Sequence, residues 1–74
     1  MNKQHKWHKV EDKLPADGEK VLIWDSTFEL IEIAYYNEKY KGFQEQDEFG
    51  DFVDGYTEYW MPLPNSPKEL KNEA

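Results

Sequence analysis

The chain has 74 residues, no cysteine and a formal net charge of −7. A chain of this length forms one small domain, near the size at which a single apolar core supplies little net stability. The lack of cysteine excludes disulfides, thiolate zinc sites and a cysteine nucleophile, so packing or self-association must stabilise the fold.

Every strong cation in the sequence is a lysine, because the nine Lys and Arg residues include no arginine. Arginine is preferred for bidentate recognition of phosphates and bases, so its absence from an acidic chain argues against nucleic-acid and anionic-membrane partners. No stretch approaches the roughly 18 apolar residues of a membrane span, and the start lacks the apolar segment of a signal peptide. The sequence therefore predicts a cytoplasmic protein.

The N-terminal part of the chain predicts a polar end, an ordered loop and a first strand. Residues 1–6 are polar and predict a flexible N-terminus. Pro15 and the Asp17-Gly18 pair predict an ordered loop that closes in a turn, because proline fixes one dihedral and glycine tolerates positive φ. The β-branched and aromatic run at residues 21–24 predicts the first strand.

A second strand is predicted over residues 28–36, close enough to the first to form a hairpin. Alternation places Ile31 and Tyr35 on one face and Ala34 on the other, so both faces are largely apolar. Few elements in so short a chain can cover two faces. Either the aromatic segments and the N-terminal loop wrap the second face, or a second copy of the chain does.

The C-terminal half predicts two more strands around an acidic loop. A third strand begins at Phe43, and residues 46–55 are acidic and punctuated by glycine, which is typical of a loop. Residues 57–61 alternate as the last strand, which ends at Pro62 because proline lacks the N–H that a strand pair needs. Residues 65–74 predict a flexible tail.

These elements predict a small β-rich domain, all-β or α+β, formed by residues 7–64. The predicted architecture is an antiparallel meander of three to four strands, with an ordered N-terminal loop and a proline-containing C-terminal tail. Self-association as a homodimer is left open, since it is one way to cover the second face of the sheet.

Three short motifs lie along this domain. They are Trp-x-x-Val-x-Asp-x-Leu-Pro-x-x-Gly at residues 7–18, Ile-Ala-Tyr-Tyr at residues 33–36, and Trp-Met-Pro-Leu-Pro at residues 60–64. With this spacing the chain resembles the DUF551 family, small proteins of unknown function that are common in bacteriophages and prophages. The resemblance spans about residues 7–67. It implies a phage-associated accessory protein in the cytoplasm of a bacterial host cell.

The sequence contains no motif typical of catalysis or of cofactor binding. His5 and His8 have no third histidine or cysteine nearby to complete a zinc site. There is no glycine-rich phosphate loop, serine nucleophile motif or Walker-type lysine, and the acidic residues lack the spacing of a calcium-binding EF-hand. We therefore expect no enzymatic activity, no metal site and no cofactor.

The acidic loop is the predicted contact site for a host protein. Two phenylalanines stand among its carboxylates, and aromatic side chains surrounded by charge are typical of interface anchors. The competing interpretation is that both rings simply close the core. The predicted partner-binding residues are Glu45, Asp47, Glu48, Phe49, Asp51, Phe52 and Asp54.

Two alternative functions use other features of the sequence. The first is capture of a planar, nucleotide-like ligand by stacking aromatic side chains, although the lack of arginine and the negative charge oppose an anion. The second is mimicry of DNA, in which the carboxylates between Glu45 and Glu58 imitate phosphates. The predicted ligand-binding residues for the first alternative are Trp24, Tyr36, Tyr59 and Trp60.

Overall fold

The computed structural model describes residues 6–47, 49–64 and 66–67. Five strands form one antiparallel sheet, which confirms the predicted β-rich fold. The strands are β1 (His8–Lys9), β2 (Lys20–Asp25), β3 (Leu30–Asn37), β4 (Gly42–Glu45) and β5 (Thr57–Pro62). The predicted flexible ends, residues 1–6 and 65–74, lie almost entirely outside the described residues. Within the described part of the chain, no helix has the length and apolar character needed to cross a membrane.

The strands lie in the order β1-β5-β2-β3-β4. The predicted meander corresponds to β2, β3 and β4, which follow one another through short turns. β5 does not continue the meander beside β4 but returns to the other side of β2, and β1 pairs with the outer edge of β5. The sheet thus has five strands instead of three to four, and β2 lies in its centre with a partner on each side.

The connection between β2 and β3 corrects the predicted start of the second strand. Phe28 and Glu29 were predicted to be part of that strand, but both lie in the turn. The Asp25 carboxylate accepts a hydrogen bond from the Phe28 backbone N–H at 3.0 Å. Glu29 has a φ of 57°, which is incompatible with an extended strand. Local side-chain capping therefore overrides the β propensity of Phe28.

One face of the sheet, here called the core face, carries the buried apolar cluster. Val21 and Ile23 of β2 have no exposed surface, and Ala34 is equally buried on β3. Val10 from the N-terminal loop and Val53 from the acidic loop pack against this cluster. The opposite side of the sheet is here called the outer face. The full cluster is Val21, Ile23, Ala34, Tyr36, Phe43 and Trp60.

The N-terminal loop covers the core face and is tied to the sheet by hydrogen bonds. The Trp60 indole N–H donates to the Lys13 carbonyl at 2.7 Å. The Gly18 N–H donates to the Tyr36 carbonyl at 2.7 Å, and Gly18 has a φ of 79°. This backbone conformation is one that glycine adopts without the strain felt by other residues. The predicted ordered loop with a turn at Asp17-Gly18 is confirmed.

Candidate functional site

The tip of the acidic loop, residues 46–55, is a tight turn held by one carboxylate. An oxygen of Asp47 accepts hydrogen bonds from the backbone N–H groups of Phe49 at 3.1 Å and Gly50 at 2.9 Å. Gly50 has a φ of 63°, which closes the turn in the left-handed region. Asp47 thus orders the loop, in addition to the contact role predicted for it. Glu48, also predicted as a contact residue, lies outside the described residues.

The sides of the acidic loop are bound to β4. The backbone N–H of Glu45 donates to the Asp51 carbonyl at 2.7 Å, and the N–H of Val53 donates to the Phe43 carbonyl at 2.9 Å. The Gln44 side-chain amide donates to the Gly50 carbonyl at 2.6 Å. These bonds continue the sheet beyond β4, so the loop is a structured extension that covers the edge of that strand.

The two phenylalanines of the acidic loop differ in their surroundings. Phe49, at the tip, is 76% exposed. Phe52 is 44% exposed, and its ring meets Tyr40 edge-on with the ring centroids 5.9 Å apart. Phe52 also lies directly against Gly42, where an added Cβ would come within 3.0 Å of the phenyl ring. The Phe52 ring therefore packs against the sheet and supports the loop, whereas the Phe49 ring is exposed to solvent.

The Glu32 carboxyl on the core face lies in a negative field. Burial raises the pKa of the Glu32 carboxyl, and the negative charges of Asp25, Glu45 and Asp54 raise this pKa further. Asp25 is almost completely buried. The acidic loop thus contributes Asp54 to the negative field around Glu32. Glu45, which was predicted as a contact residue together with the loop, is the last residue of β4.

Replacing Glu32 by glutamine is expected to raise the melting temperature by a few degrees at neutral pH. The folded-state pKa of Glu32 lies above its ordinary value of 4.5, so the associated stability is complete below that value and is lost as pH rises through the folded pKa. Thermal unfolding followed by circular dichroism at pH 7 and near pH 3.5 checks this. Glu38→Gln, at an exposed site in the β3–β4 turn, is the control. An equal gain at both pH values would contradict the expected result.

A second feature is an open apolar groove on the outer face. Its lining residues come from the N-terminal segment and from three neighbouring strands, and the volume is about 320 Å³. Its wall has almost no polar surface. Such a groove can take up an apolar side chain or a flat ring but offers few groups to orient a polar ligand. The lining residues are Trp7, Trp24, Ile31 and Tyr59.

The four residues predicted to stack a planar ligand are not brought together. Trp24 and Tyr59 line the groove on the outer face, whereas Tyr36 and Trp60 are buried in the core cluster on the opposite face. The sheet itself separates the two pairs. Trp7 and Ile31, which the sequence analysis did not name as ligand residues, complete the groove. The alternation of Ile31, Ile33 and Tyr35 in β3 is the sequence signal for this face.

A smaller cavity of about 250 Å³ lies beneath the acidic loop on the core-face side. Phe43, Phe52 and Thr57 contribute to its lining. The Thr57 hydroxyl is buried and has no hydrogen-bond partner within the protein. Buried hydroxyls of this kind commonly bind ordered water, so this atom does not by itself indicate a ligand.

The described residues contain no cluster of side chains suited to hold a metal ion. Within residues 6–47, 49–64 and 66–67, no three His, Asp or Glu side chains are grouped to hold a metal ion. His8 instead stacks against Trp60, with the ring centroids 4.8 Å apart. The notable surfaces of the molecule are therefore the tip of the acidic loop and the outer-face groove.

Comparison with known proteins places the chain in a family. Neither the curated proteins nor the solved structures contain a match. Residues 6–68 match the family described as "Protein of unknown function (DUF551)", and this match includes all five strands and the acidic loop. Because the match covers most of the chain, the protein belongs to the DUF551 family.

Proposed function

We propose that the protein is a non-catalytic binding module, of the phage or prophage accessory type, that engages a host protein in the bacterial cytoplasm. The contact is made by the tip of the acidic loop, with Phe49 as its anchor. The observation that carries this proposal is the 76% exposure of Phe49 on a turn whose backbone is fixed by hydrogen bonds. An exposed aromatic ring on an ordered loop loses little conformational entropy when it binds.

The charges around Phe49 indicate the chemistry of the partner. Asp47, Asp51 and Asp54 are exposed carboxylates that flank the ring in the sequence. A host protein with an apolar pocket rimmed by lysine or arginine would complement both features. Electrostatic attraction between exposed charges is screened by salt, so association should be faster at low ionic strength.

The alternative functions have less support. Capture of a planar ligand required four aromatic residues that lie on opposite faces of the sheet. Mimicry of DNA requires the carboxylates between Glu45 and Glu58 to be displayed on one surface, but Glu45 and Glu58 are both half-buried. Neither alternative accounts for an exposed phenylalanine at the tip of a structured loop.

The experiment is affinity capture from a bacterial host lysate with immobilised wild-type protein and two variants. Phe49→Ala is expected to reduce recovery of the partner about tenfold or more, because loss of an anchor costs more than about 1.4 kcal/mol. Phe28→Ala is the matched control, since Phe28 is 59% exposed in the β2–β3 turn, outside the acidic loop. Mass spectrometry quantifies each captured protein.

Stability measurements separate recognition from folding. Phe49→Ala should leave the melting temperature unchanged, whereas Phe52→Ala should lower it because Phe52 contacts Tyr40 and Gly42. Equal recovery of every captured protein by wild type, Phe49→Ala and Phe28→Ala would contradict the proposal.

A further inference from the structure

Two adjacent rows of apolar side chains cross the outer face. Strand pairing places Trp24 beside Ile31 on one side and beside Tyr59 on the other. Directly opposed residues in antiparallel strands project to the same face, so each row is continuous across three strands. The rows are Tyr59–Trp24–Ile31 and Met61–Leu22–Ile33.

The described part of the chain covers this face unevenly: Met61 on β5 is buried, whereas the β3 side is open to solvent. Ile31 is 55% exposed and Tyr35, further along the same side of β3, is 38% exposed. Val10 and Val53 pack against the core cluster, so the two loops that carry them cover the core face and not the outer face. Of the described residues outside the strands, Trp7 alone lines the outer-face groove. A sheet with two apolar faces needs a second layer on each of them.

The remaining residues of the sequence add few apolar side chains. Residues 1–5, 48, 65 and 68–74 contain only two large aliphatic side chains, Met1 and Leu70. Two such side chains are too few to cover two rows of three apolar residues each. The residues of this sequence therefore leave part of the outer face open to a second molecule.

The distribution of charge on the strands favours a second copy of the same chain. Strand pairing places Asp25 and Glu32 on the core face, and Glu45 is paired with the buried Ala34 on that face. The charged side chains that the regular strand pairing places on the outer face are Lys9 and Lys20. Two copies can thus meet through this face without bringing Asp25, Glu32 and Glu45 of one copy against those of the other, although each chain carries a net charge of −7.

We propose that two copies stack outer face to outer face and form a two-layer β-sandwich, with the sheets about 10 Å apart. The second copy closes the groove around Trp24 and completes the burial that a small chain without disulfides lacks. The outer face of β2, β3, β4 and β5 has a footprint of roughly 400 Å² per copy. This estimate takes strands about 4.8 Å apart, each with about six residues at 3.3 Å per residue. This lies below the roughly 800 Å² per partner of a standard interface, so we expect a dissociation constant in the micromolar range.

Sedimentation equilibrium over about 1 μM to 1 mM protein tests the dimer. The wild-type mass should rise from that of a monomer toward twice that value. Ile31→Glu should remain monomeric throughout, because it places a carboxylate in the centre of the interface. Phe49→Glu introduces the same change at the tip of the acidic loop and should associate like the wild type.

Circular dichroism of each variant confirms that it is folded. If Ile31→Glu is unfolded, Tyr35→Glu replaces it, since Tyr35 lies on the same face and is also partly exposed. A wild-type protein that stays monomeric over the whole range would overturn the proposal and would leave the outer face to a different partner. Equal association of wild type and the folded outer-face variant would overturn it as well, because the contact would then lie elsewhere.

Discussion

Replacing Trp60 by alanine is expected to unfold the protein or nearly so. Trp60 is almost fully buried at the meeting point of β5, β2 and the N-terminal loop. Truncation of a buried tryptophan costs about 3–5 kcal/mol. The Lys13 carbonyl also loses its indole donor, and His8 loses the ring on which it stacks. A domain of this length has little more stability than that to lose.

Urea unfolding followed by far-ultraviolet circular dichroism checks this result. Trp60→Phe keeps an aromatic ring but removes the N–H, so it should cost markedly less than Trp60→Ala. Trp24→Ala is a second control, because Trp24 lines the open groove instead of the core. If Trp60→Ala and Trp24→Ala shifted the unfolding midpoint by the same amount, the division of tryptophans between the two faces would be wrong.

Replacing Gly55 by alanine is expected to have the second largest effect, a loss of about 1–3 kcal/mol as for other overpacked sites. An added Cβ would collide with both oxygens of the Asp25 carboxylate. Asp25 cannot move away freely, because it is buried and caps the Phe28 N–H. The backbone of Gly55 does not itself require glycine, since only Gly18 and Gly50 among the glycines have positive φ.

A double-mutant cycle identifies the cause of the loss. In an Asp25→Ala background the collision is absent, so Gly55→Ala should cost much less there than in the wild type. Gly18→Ala is a useful comparison, because Gly18 has open space around it and its substitution costs only backbone strain. Urea midpoints of the four proteins give the coupling. An additive cycle would show that Gly55 and Asp25 do not meet.

Alternation along single strands was sufficient to predict most of the sheet. The segments around Val21, Ala34 and Trp60 were all expected to be strands, and β2, β3 and β5 contain them. Their β-branched and aromatic residues alternate clearly, and turn residues bound them. β1 could not be predicted, because a two-residue strand is defined by its pairing with β5 and carries no periodicity of its own.

The position of β5 beside β2 depends on contacts between distant parts of the chain. The sequence shows where strands start and end, whereas their order follows from which apolar faces can be buried together. A simple meander would have left one edge of the central strand β2 without a partner. Pairing with β5 satisfies the backbone hydrogen-bonding groups of that edge and brings Trp60 next to Ile23 in the core.

The division of the aromatic residues between the two faces could not be predicted without the register of the strand pairing. Pairing of Trp24 with Ile31 places Trp24 on the face opposite to Tyr36, because side chains of a strand alternate. A shift of one residue in that pairing would have put both rings on the same side. Of the aromatic residues, Tyr36, Phe43 and Trp60 are buried in the core cluster.

The location of the acidic loop was predictable, but the difference between its two phenylalanines was not. Both occur in similar acidic surroundings, and only the pairing of Phe52 with Gln44 places one of them against the sheet. The hydrogen bonds of Asp47 likewise became visible only in the folded loop. Sequence alone could indicate a contact segment but not the anchor within it.

In the proposed dimer the outer face joins two copies, and the tip of the acidic loop remains free to bind a host protein. The most direct measurement is a dilution series of the ¹⁵N-labelled protein followed by amide chemical shifts. Amides of Leu22, Trp24 and Ile31 should shift with protein concentration, whereas those of Phe49 and Gly50 should not. If amide shifts at the loop tip changed with protein concentration while those of the outer face did not, the outer face would not be the dimer contact.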